Sequence, residues 1–375
     1  VTGKRVLVAG LGDSGVLAAI HLSRHANVVG ISGKPGLVSG QELGMRLSRP
    51  DAWAREYWIA FDRFRGLDRV RKIHATITAA DLAANTVTVQ RTDGSTAVEH
   101  YDALIISTGV TNGFWRKPTL QSNAEIGSEL VATHERFASA ESVMVIGGGA
   151  AAVSGAANLA ATWPEKRVDL FFPGERALPL HHPRTWRRIS GRLADLGVVL
   201  HPGHRAQLPD GFTGETTTSE AVQWTTGQAA SSADVVLWAV GHVRPNTDWL
   251  PASVLDERGF VRVDPDLRVP GHRAVFAVGD VAASDPLRGS ARNRADRLVA
   301  RNVRALFAGR RLRTYRSRDR RWGSVLGAQS DGLEIFAPSG HVFRFPAWSI
   351  DRVLQPWIVR RGIYGGIRST SRENV

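Results

Sequence analysis

No cysteine occurs in the 375 residues. Its absence removes disulfide frameworks, thiolate metal sites, iron–sulfur clusters and every mechanism built on a redox-active or nucleophilic thiol. Any redox chemistry must then belong to a bound cofactor. No run approaches the ~18 uninterrupted apolar residues of a membrane-spanning helix. A glycine-rich motif begins at Gly10, with no room before it for a secretory leader, so a cytoplasmic protein is expected. Lysine is scarce: only five of the 48 basic residues are lysine, and against 35 acidic residues the arginines leave a net charge of +13. That excess suits phosphates, nucleic acid or anionic lipid, or simply reflects a GC-rich coding bias. The 43% hydrophobic and 22% charged content is that of a globular chain, and the length suggests roughly two to three domains.

Residues 4–9, KRVLVA, form an apolar run without alternation, which predicts a strand buried on both faces of a parallel sheet. It enters GLGDSG at residues 10–15 and then an apolar helix from Val16. In this G-x-G-x-x-G turn Gly10 permits the tight bend, Gly12 lets backbone approach a pyrophosphate, and Gly15 permits close helix–strand packing. The helix N-terminus offers free N–H groups to phosphate. The pattern recurs where VMVI leads into GGGAAA at residues 147–152 and the small-residue helix VSGAANLAA. Gly147, Gly149 and Ala152 hold the three positions, the last being the permitted alanine. Two such units point to two dinucleotide-binding domains.

The acid expected about 20 residues after each turn, to bond a ribose, is missing. Ser32 closes the strand NVVGIS, and Phe172 ends RVDLFF with Glu175 and Arg176 just beyond. An arginine where the acid is lost favours a 2′-phosphate, hence NADPH over NADH, unless Arg176 is a solvated loop residue. Between the turns, NTVTVQ and AVEHY flank Asp93-Gly94, a hairpin signal. Three further buried strands end in glycine: YDALIISTGV at Thr108-Gly109, DVVLWAVG at Gly241, and AVFAVGD at Gly279-Asp280. Glycine there lets a ligand approach outside the carboxyl ends of a parallel sheet.

Taken in order, the first glycine turn, the STG strand, the second turn, the AVG strand with Pro245-Asn246-Thr247, and AVFAVGD resemble the two-dinucleotide-binding flavoproteins of the pyridine nucleotide-disulfide oxidoreductase superfamily. The stretches TWPEKRVDLFF, GFVRVDPDLRVPGHRAVFAVGD and GAQSDGLEIFAPSGHVF are similar to its apoptosis-inducing-factor-like and ferroptosis-suppressor-like quinone reductases, with type II NADH dehydrogenases next. The resemblance implies FAD on the first turn, NAD(P)H on the second, and Asp280 on the ribityl chain. It places Lys34, Arg46 and Ile77 at further FAD positions. The expected cofactor-binding set thus comprises Gly10, Gly12, Asp13, Ser14, Gly15, Ser32, Lys34, Arg46 and Ile77 in the first segment. Thr108, Gly109, Gly279 and Asp280 follow from the later strands, and Gly147, Gly149, Ala150, Ala152, Arg176 and Gly241 from the second unit. Ser32, Ser154 (in place of a helix glutamate) and Arg292-Asn293 depart from the family pattern. FAD is still expected, because the glycine turns, the helix dipole and Asp280 supply most of its contacts.

Disulfide reductases and sulfide:quinone reductases share this architecture but need a cysteine pair, which this chain lacks. What remains is hydride transfer from NAD(P)H to flavin and on to a quinone-like small molecule. The alternatives are electron transfer to a ferredoxin-like protein, or a non-catalytic nucleotide-binding redox sensor. No strict acid or base is required, and Ser154 and Arg292 are the candidate residues beside the reacting centre. Trp115 and Trp238 are read as core aromatics more readily than as flavin neighbours. His181 and His182 read as a loop, and no metal site is expected.

Residues 309–321, GRRLRTYRSRDRR, are a solvated linker or an anion-binding patch. The last stretch interleaves Trp348, Trp357, Ile358 and Tyr364 with Arg352, Arg360 and Arg361. It suits either packing on the flavin domain or peripheral contact with the inner face of a membrane. Pro356 predicts two short helices rather than one. No nucleic-acid motif accompanies the charge. The expected fold is α/β, with two Rossmann-like domains and a small C-terminal α+β cap. An FAD domain takes residues 1–112 and 255–310, an NAD(P)H domain residues 113–254, and the cap, a β-meander and helical tail, residues 311–375.

Overall fold

The computed structural model describes residues 3–113, 118–288 and 293–369. Trp115 and Arg292 lie outside them. Two parallel sheets organise the chain. In the first, Val275–Ala277, Ala103–Ile106, Arg5–Ala9, Asn27–Ser32 and Arg71–Asp81 lie side by side and parallel. The hairpin Thr86–Arg91 and Thr96–His100 extends it antiparallel. The sequence pattern explains the difference. Val6, Leu7 and Val8 are successive and all buried, as a strand covered on both faces requires. Val87 and Val89 are buried while their neighbours are not, the period of a half-solvated hairpin.

One face of this sheet is covered by the helices Asp13–Leu22 and Ala295–Phe307, where Val16, Ala19, Val299 and Val303 meet Val6, Val8 and Ile105. The second sheet runs Val199–His201, Arg167–Phe171, Ser142–Ile146 and Val235–Trp238 in parallel, with Thr216–Thr218 antiparallel at its edge. Ala150–Thr162 and Pro183–Asp195 pack on one face through Val153, Ala157, Ile189 and Leu193. Burying each such aliphatic side chain is worth about 1.5–3 kcal/mol. Trp238 belongs to the core on the opposite face, its Nε1 donating to Thr218 Oγ1 at 2.9 Å.

The two units touch at Gly44, on the short helix Leu43–Ser48, where a Cβ would stand 2.1 Å from the carbonyl oxygen of Ser154. Glycine is what lets the two helices approach that closely. The chain crosses between the units twice, and the crossings pair antiparallel as Val110–Thr111 with Arg244–Pro245.

The C-terminal cap begins with a three-stranded antiparallel sheet, Ala328–Gln329, Gly332–Phe336 and Val342–Pro346. Its Phe336 inserts into the core of the second unit, and Asp331 accepts from Arg192 at 2.6 Å. The tail corrects the expectation of two helices broken at Pro356: Ile350–Ile363 is one continuous π-helix with that proline inside it. Pro356 removes one N–H from that helix's ladder without ending it. Past the helix, Tyr364 stacks edge-on against Phe64, and Arg368 forms a two-pronged ion pair with Asp68 at 2.7 and 2.9 Å. Burial pushes the Tyr364 phenol well up, and the nearby Asp13 carboxylate pushes in the same direction.

Candidate dinucleotide site

The first glycine turn is shaped by contacts no other residue allows. Gly10 has φ of +98°, and a Cβ there would lie 2.5 Å from the carbonyl oxygen of Ser107. At Gly15 a Cβ would lie 1.9 Å from the carbonyl oxygen of Gly10. Gly12 differs: it has no atom within 4 Å of its Cβ position. It occupies the N-cap of Asp13–Leu22, where no side chain caps the helix. The free N–H groups and positive dipole end of that helix therefore face open space beside it. Ser107 fastens the turn, its Oγ donating to the Gly10 carbonyl at 2.8 Å.

That space is a cavity of about 810 Å³, within the ~300–1,000 Å³ of small-molecule sites. Its walls include Gly10, Gly12, Asp13, Ser14, Ser32, Lys34, Ile77, Thr108, Gly109, Gly279 and Asp280, which are widely separated in sequence. From the second unit come Ala150 and Ser154, and from the cap Trp322, Ser324 and Val325. Ser32 Oγ accepts from the Lys34 amide at 3.1 Å, and Lys34 Nζ donates to Gln121 Oε1 at 2.8 Å. Gly279, with φ of +86°, sets Asp280 past the end of Val275–Ala277 and into the wall.

Asn246 locks the crossing beside the cavity. Its carboxamide donates to the Thr108 carbonyl at 3.0 Å and accepts from Thr111 Oγ1 at 2.7 Å, while Thr108 Oγ1 donates to the Asn246 carbonyl at 2.7 Å. At the cap side, Tyr315 Oη donates to Asp285 at 2.8 Å and accepts from Asn293 Nδ2 at 3.2 Å, and Trp322 Nε1 donates to Asn293 Oδ1 at 3.1 Å. Burial holds the Tyr315 phenol well above its usual range. Asn293 and Trp322 also line the cavity, so this chain of bonds fixes the cap over the loop that follows Asp280.

Two arginines of the expected cofactor-binding set bond within the protein. Arg46 is buried and does not line the cavity; its Nη2 pairs with Glu215 Oε2 at 3.2 Å. Its place on the interior side of Leu43–Ser48 turns the guanidinium toward the second unit. Arg176 donates to the carbonyls of Leu178 and Pro179, at 3.2 and 3.3 Å, within its own loop. Glu215 and Asn112 are wall residues that local sequence did not reveal, and Asn246 showed in it only as part of the AVG-strand motif. Glu215 accepts from Asn112 Nδ2 at 2.9 Å as well as from Arg46.

The second turn repeats the first. Gly147, at φ of +144°, would place a Cβ 2.3 Å from the Ala239 carbonyl oxygen, and Ala152 packs beneath it. Gly149 caps Ala150–Thr162 without a side-chain bond and has nothing within 4 Å of its Cβ position. Gly147, Gly149, Ala152 and Gly241 stand outside the 810 Å³ cavity, while Ala150 and Ser154 of the same unit reach it. Phe172 is buried edge-on against Trp186. His182 caps a helix by accepting from the Arg184 amide at 3.1 Å. No group of three metal-ligating side chains occurs among the described residues.

A family model for the pyridine nucleotide-disulphide oxidoreductases matches residues 4–306. The chain belongs to that family. Among curated relatives of this oxidoreductase, ferroptosis suppressor protein 1 of Xenopus tropicalis is 26% identical over 322 residues, 83% of each chain. The Fe-regulated protein 8 of Mycosarcoma maydis is 26% identical over 295 residues, 74% of this chain and 70% of its own. The water-forming NADH oxidase of Lactobacillus brevis, solved with NADH, shares the fold with a TM-score of 0.65 at 19% identity, covering 93% of this chain and 77% of that one.

The residues of this member fit the family's FAD. Gly12 leaves a cradle that a Cβ would begin to fill, the helix end beside it suits a pyrophosphate, and Asp280 lines the same cavity.

Proposed function

We propose that this oxidoreductase takes hydride from NAD(P)H onto FAD and delivers the electrons to a quinone or a similar small aromatic acceptor. The observation that carries the reading is a cavity walled by the first glycine turn, by Ala150 and Ser154 of the second unit and by the cap, in a chain without cysteine. A family member with no thiol pair has to discharge electrons directly to an acceptor. Bound flavin supplies the hydride and electron chemistry.

The protein's own part is placement. Gly10, Gly12 and the end of Asp13–Leu22 would hold the pyrophosphate, Asp280 the ribityl hydroxyls, and Thr108-Gly109 the backbone approach to the ring system. Ser154 is small and buried in its helix, which leaves room on the second unit's side of the cavity for the nicotinamide. Trp322 and Val325, held through Asn293 and Tyr315, cover the cavity from the cap side and help exclude water.

The test is an anaerobic titration of the purified protein with NADH and NADPH in parallel, followed by turnover with a water-soluble quinone. Bleaching of the flavin by either nucleotide and quinone-dependent reoxidation are expected. A bleached flavin that a ferredoxin reoxidises but quinones do not would overturn the acceptor. A protein that retains no FAD would overturn the whole reading and leave a nucleotide-binding sensor.

A further inference from the structure

Large apolar side chains standing exposed on the described residues are not scattered evenly. More than half of them lie within residues 342–363, among them Phe343 at 60%, Trp348 at 63% and Trp357 at 58% exposed. No helix there is long and apolar enough to cross a membrane. The arrangement follows the helix geometry. In a π-helix, residues four and five apart share a face, and Val353, Trp357 and Ile358 recur at those steps, with Trp348 in the turn Ala347–Ser349 that leads into it. The opposite side carries Ile350, Leu354 and Val359, which are buried or half-buried.

Charge accompanies the apolar face. Arg352 and Arg361 are exposed on it, and among the described residues neither has an ion-pair partner. Arg361 lies over the Trp357 ring at 5.2 Å. The helix has one acid, the exposed Asp351, and its third arginine, Arg360, is already engaged with Glu56 at 2.9 Å. The face is held rigid: Arg360–Glu56 fixes the helix, Tyr364 on Phe64 and Arg368 with Asp68 fix its end, and Val342–Pro346 fixes its start.

From this we infer that the outer face of residues 342–363 docks on an anionic phospholipid surface, with Trp348, Trp357 and Phe343 entering the headgroup region and Arg352 and Arg361 meeting the lipid phosphates. Tryptophan suits that boundary because its ring is apolar and its N–H can remain hydrated, and arginine keeps its head in the polar layer while its stem lies on apolar surface. A second copy of the chain fits less well. It would set unpaired arginines against unpaired arginines on a protein of net charge +13. The inference does not depend on the identity of the electron acceptor.

The experiment is cosedimentation of the full chain with phosphatidylcholine vesicles, with and without phosphatidylglycerol, at low and high salt. Binding is expected only to the anionic vesicles, and less at high salt. Arg352→Gln and Arg361→Gln should each weaken it about fivefold. Trp348→Ser/Trp357→Ser should weaken it at least about tenfold, with an unchanged thermal midpoint and circular dichroism. Should a variant misfold, brominated lipid in the anionic vesicles must still quench the tryptophan emission of the unaltered protein. Failure of the unaltered protein to sediment, equal binding by the variants, or a dimer that the Trp348→Ser/Trp357→Ser variant abolishes without any vesicle binding would each overturn the inference.

Discussion

Arg46 and Glu215, 169 residues apart, form a buried ion pair that joins the helix Leu43–Ser48 of the first unit to the edge of the second sheet. The arginine is 1% and the glutamate 7% exposed, so the pair is shielded from solvent and Glu215 presents its remaining surface to the cavity. Removing one partner strands a buried charge, which costs about 3–5 kcal/mol, whereas replacing both with apolar groups is often neutral. Glu215→Ala should lose stability of that order in urea unfolding, and Arg46→Met/Glu215→Leu should recover most of it. A Glu215→Ala loss below about 1 kcal/mol would show that the pair is not the structural tie proposed.

The glycines of the first turn separate folding from binding. Gly10→Ala forces a Cβ against the Ser107 carbonyl at a φ that alanine disfavours, so the variant should be recovered poorly or unfold at lower denaturant. Gly12→Ala meets no protein atom, and its stability should stay within about 0.5 kcal/mol of the parent. Its flavin content after dialysis should nevertheless fall, because the methyl enters the space beside the helix end. Equal flavin retention by Gly12→Ala and the parent would count against a pyrophosphate there.

Asp280 tests the flavin assignment from the other side of the cavity. Loss of a hydrogen bond to a charged group costs about 1.5–3 kcal/mol. Asp280→Ala should therefore release FAD on dilution at a protein concentration roughly tenfold or more above that of the parent. Flavin absorbance in ultrafiltrates reads this directly.

The cap adds a pH dependence. Hydrogen bonding from Arg192 holds the Asp331 carboxyl down at about 2, against 3.8 unperturbed. A depressed folded-state value means that the contribution is fully present above the unfolded value and is lost as pH falls from about 4 towards 2. Both side chains are partly exposed, so the pair is worth at most about 1 kcal/mol. Urea midpoints at pH 5 and pH 3 should diverge less in Asp331→Asn than in the parent; identical pH slopes would remove the pair from the cap's anchoring.

What the sequence made legible was local. The Gly10, Gly12 and Gly15 spacing, the strand before it and the helix after it lie within one short segment, and each glycine has its own steric reason. The Gly279-Asp280 strand end was readable for the same cause. Glu215 was not, because GFTGETTTS reads as a polar loop and its partners Arg46 and Asn112 lie far away in sequence. Asn246 showed only as part of a motif, and its bonds to Thr108 and Thr111 exist because two crossings happen to pair. Pro356 misled because one missing N–H does not end this helix, which Arg360 and the following Tyr364 tie to the first unit at Glu56 and Phe64.

The cap is fastened at two distant places. Its sheet is sunk into the second unit through Phe336 and tied there by Arg192 and Arg188 to Asp331 and Glu334. Its last residues are fastened to the first unit through Tyr364 and Arg368. Residues 337–369 therefore act as a brace across the joint that the paired crossings form. Swinging one nucleotide-binding unit away from the other would stretch that brace or tear one of its anchors. The spacing between the two nucleotide-binding units is thus tied to a segment of the cap that lies outside both units in sequence, and cutting the chain after residue 346 would loosen that spacing.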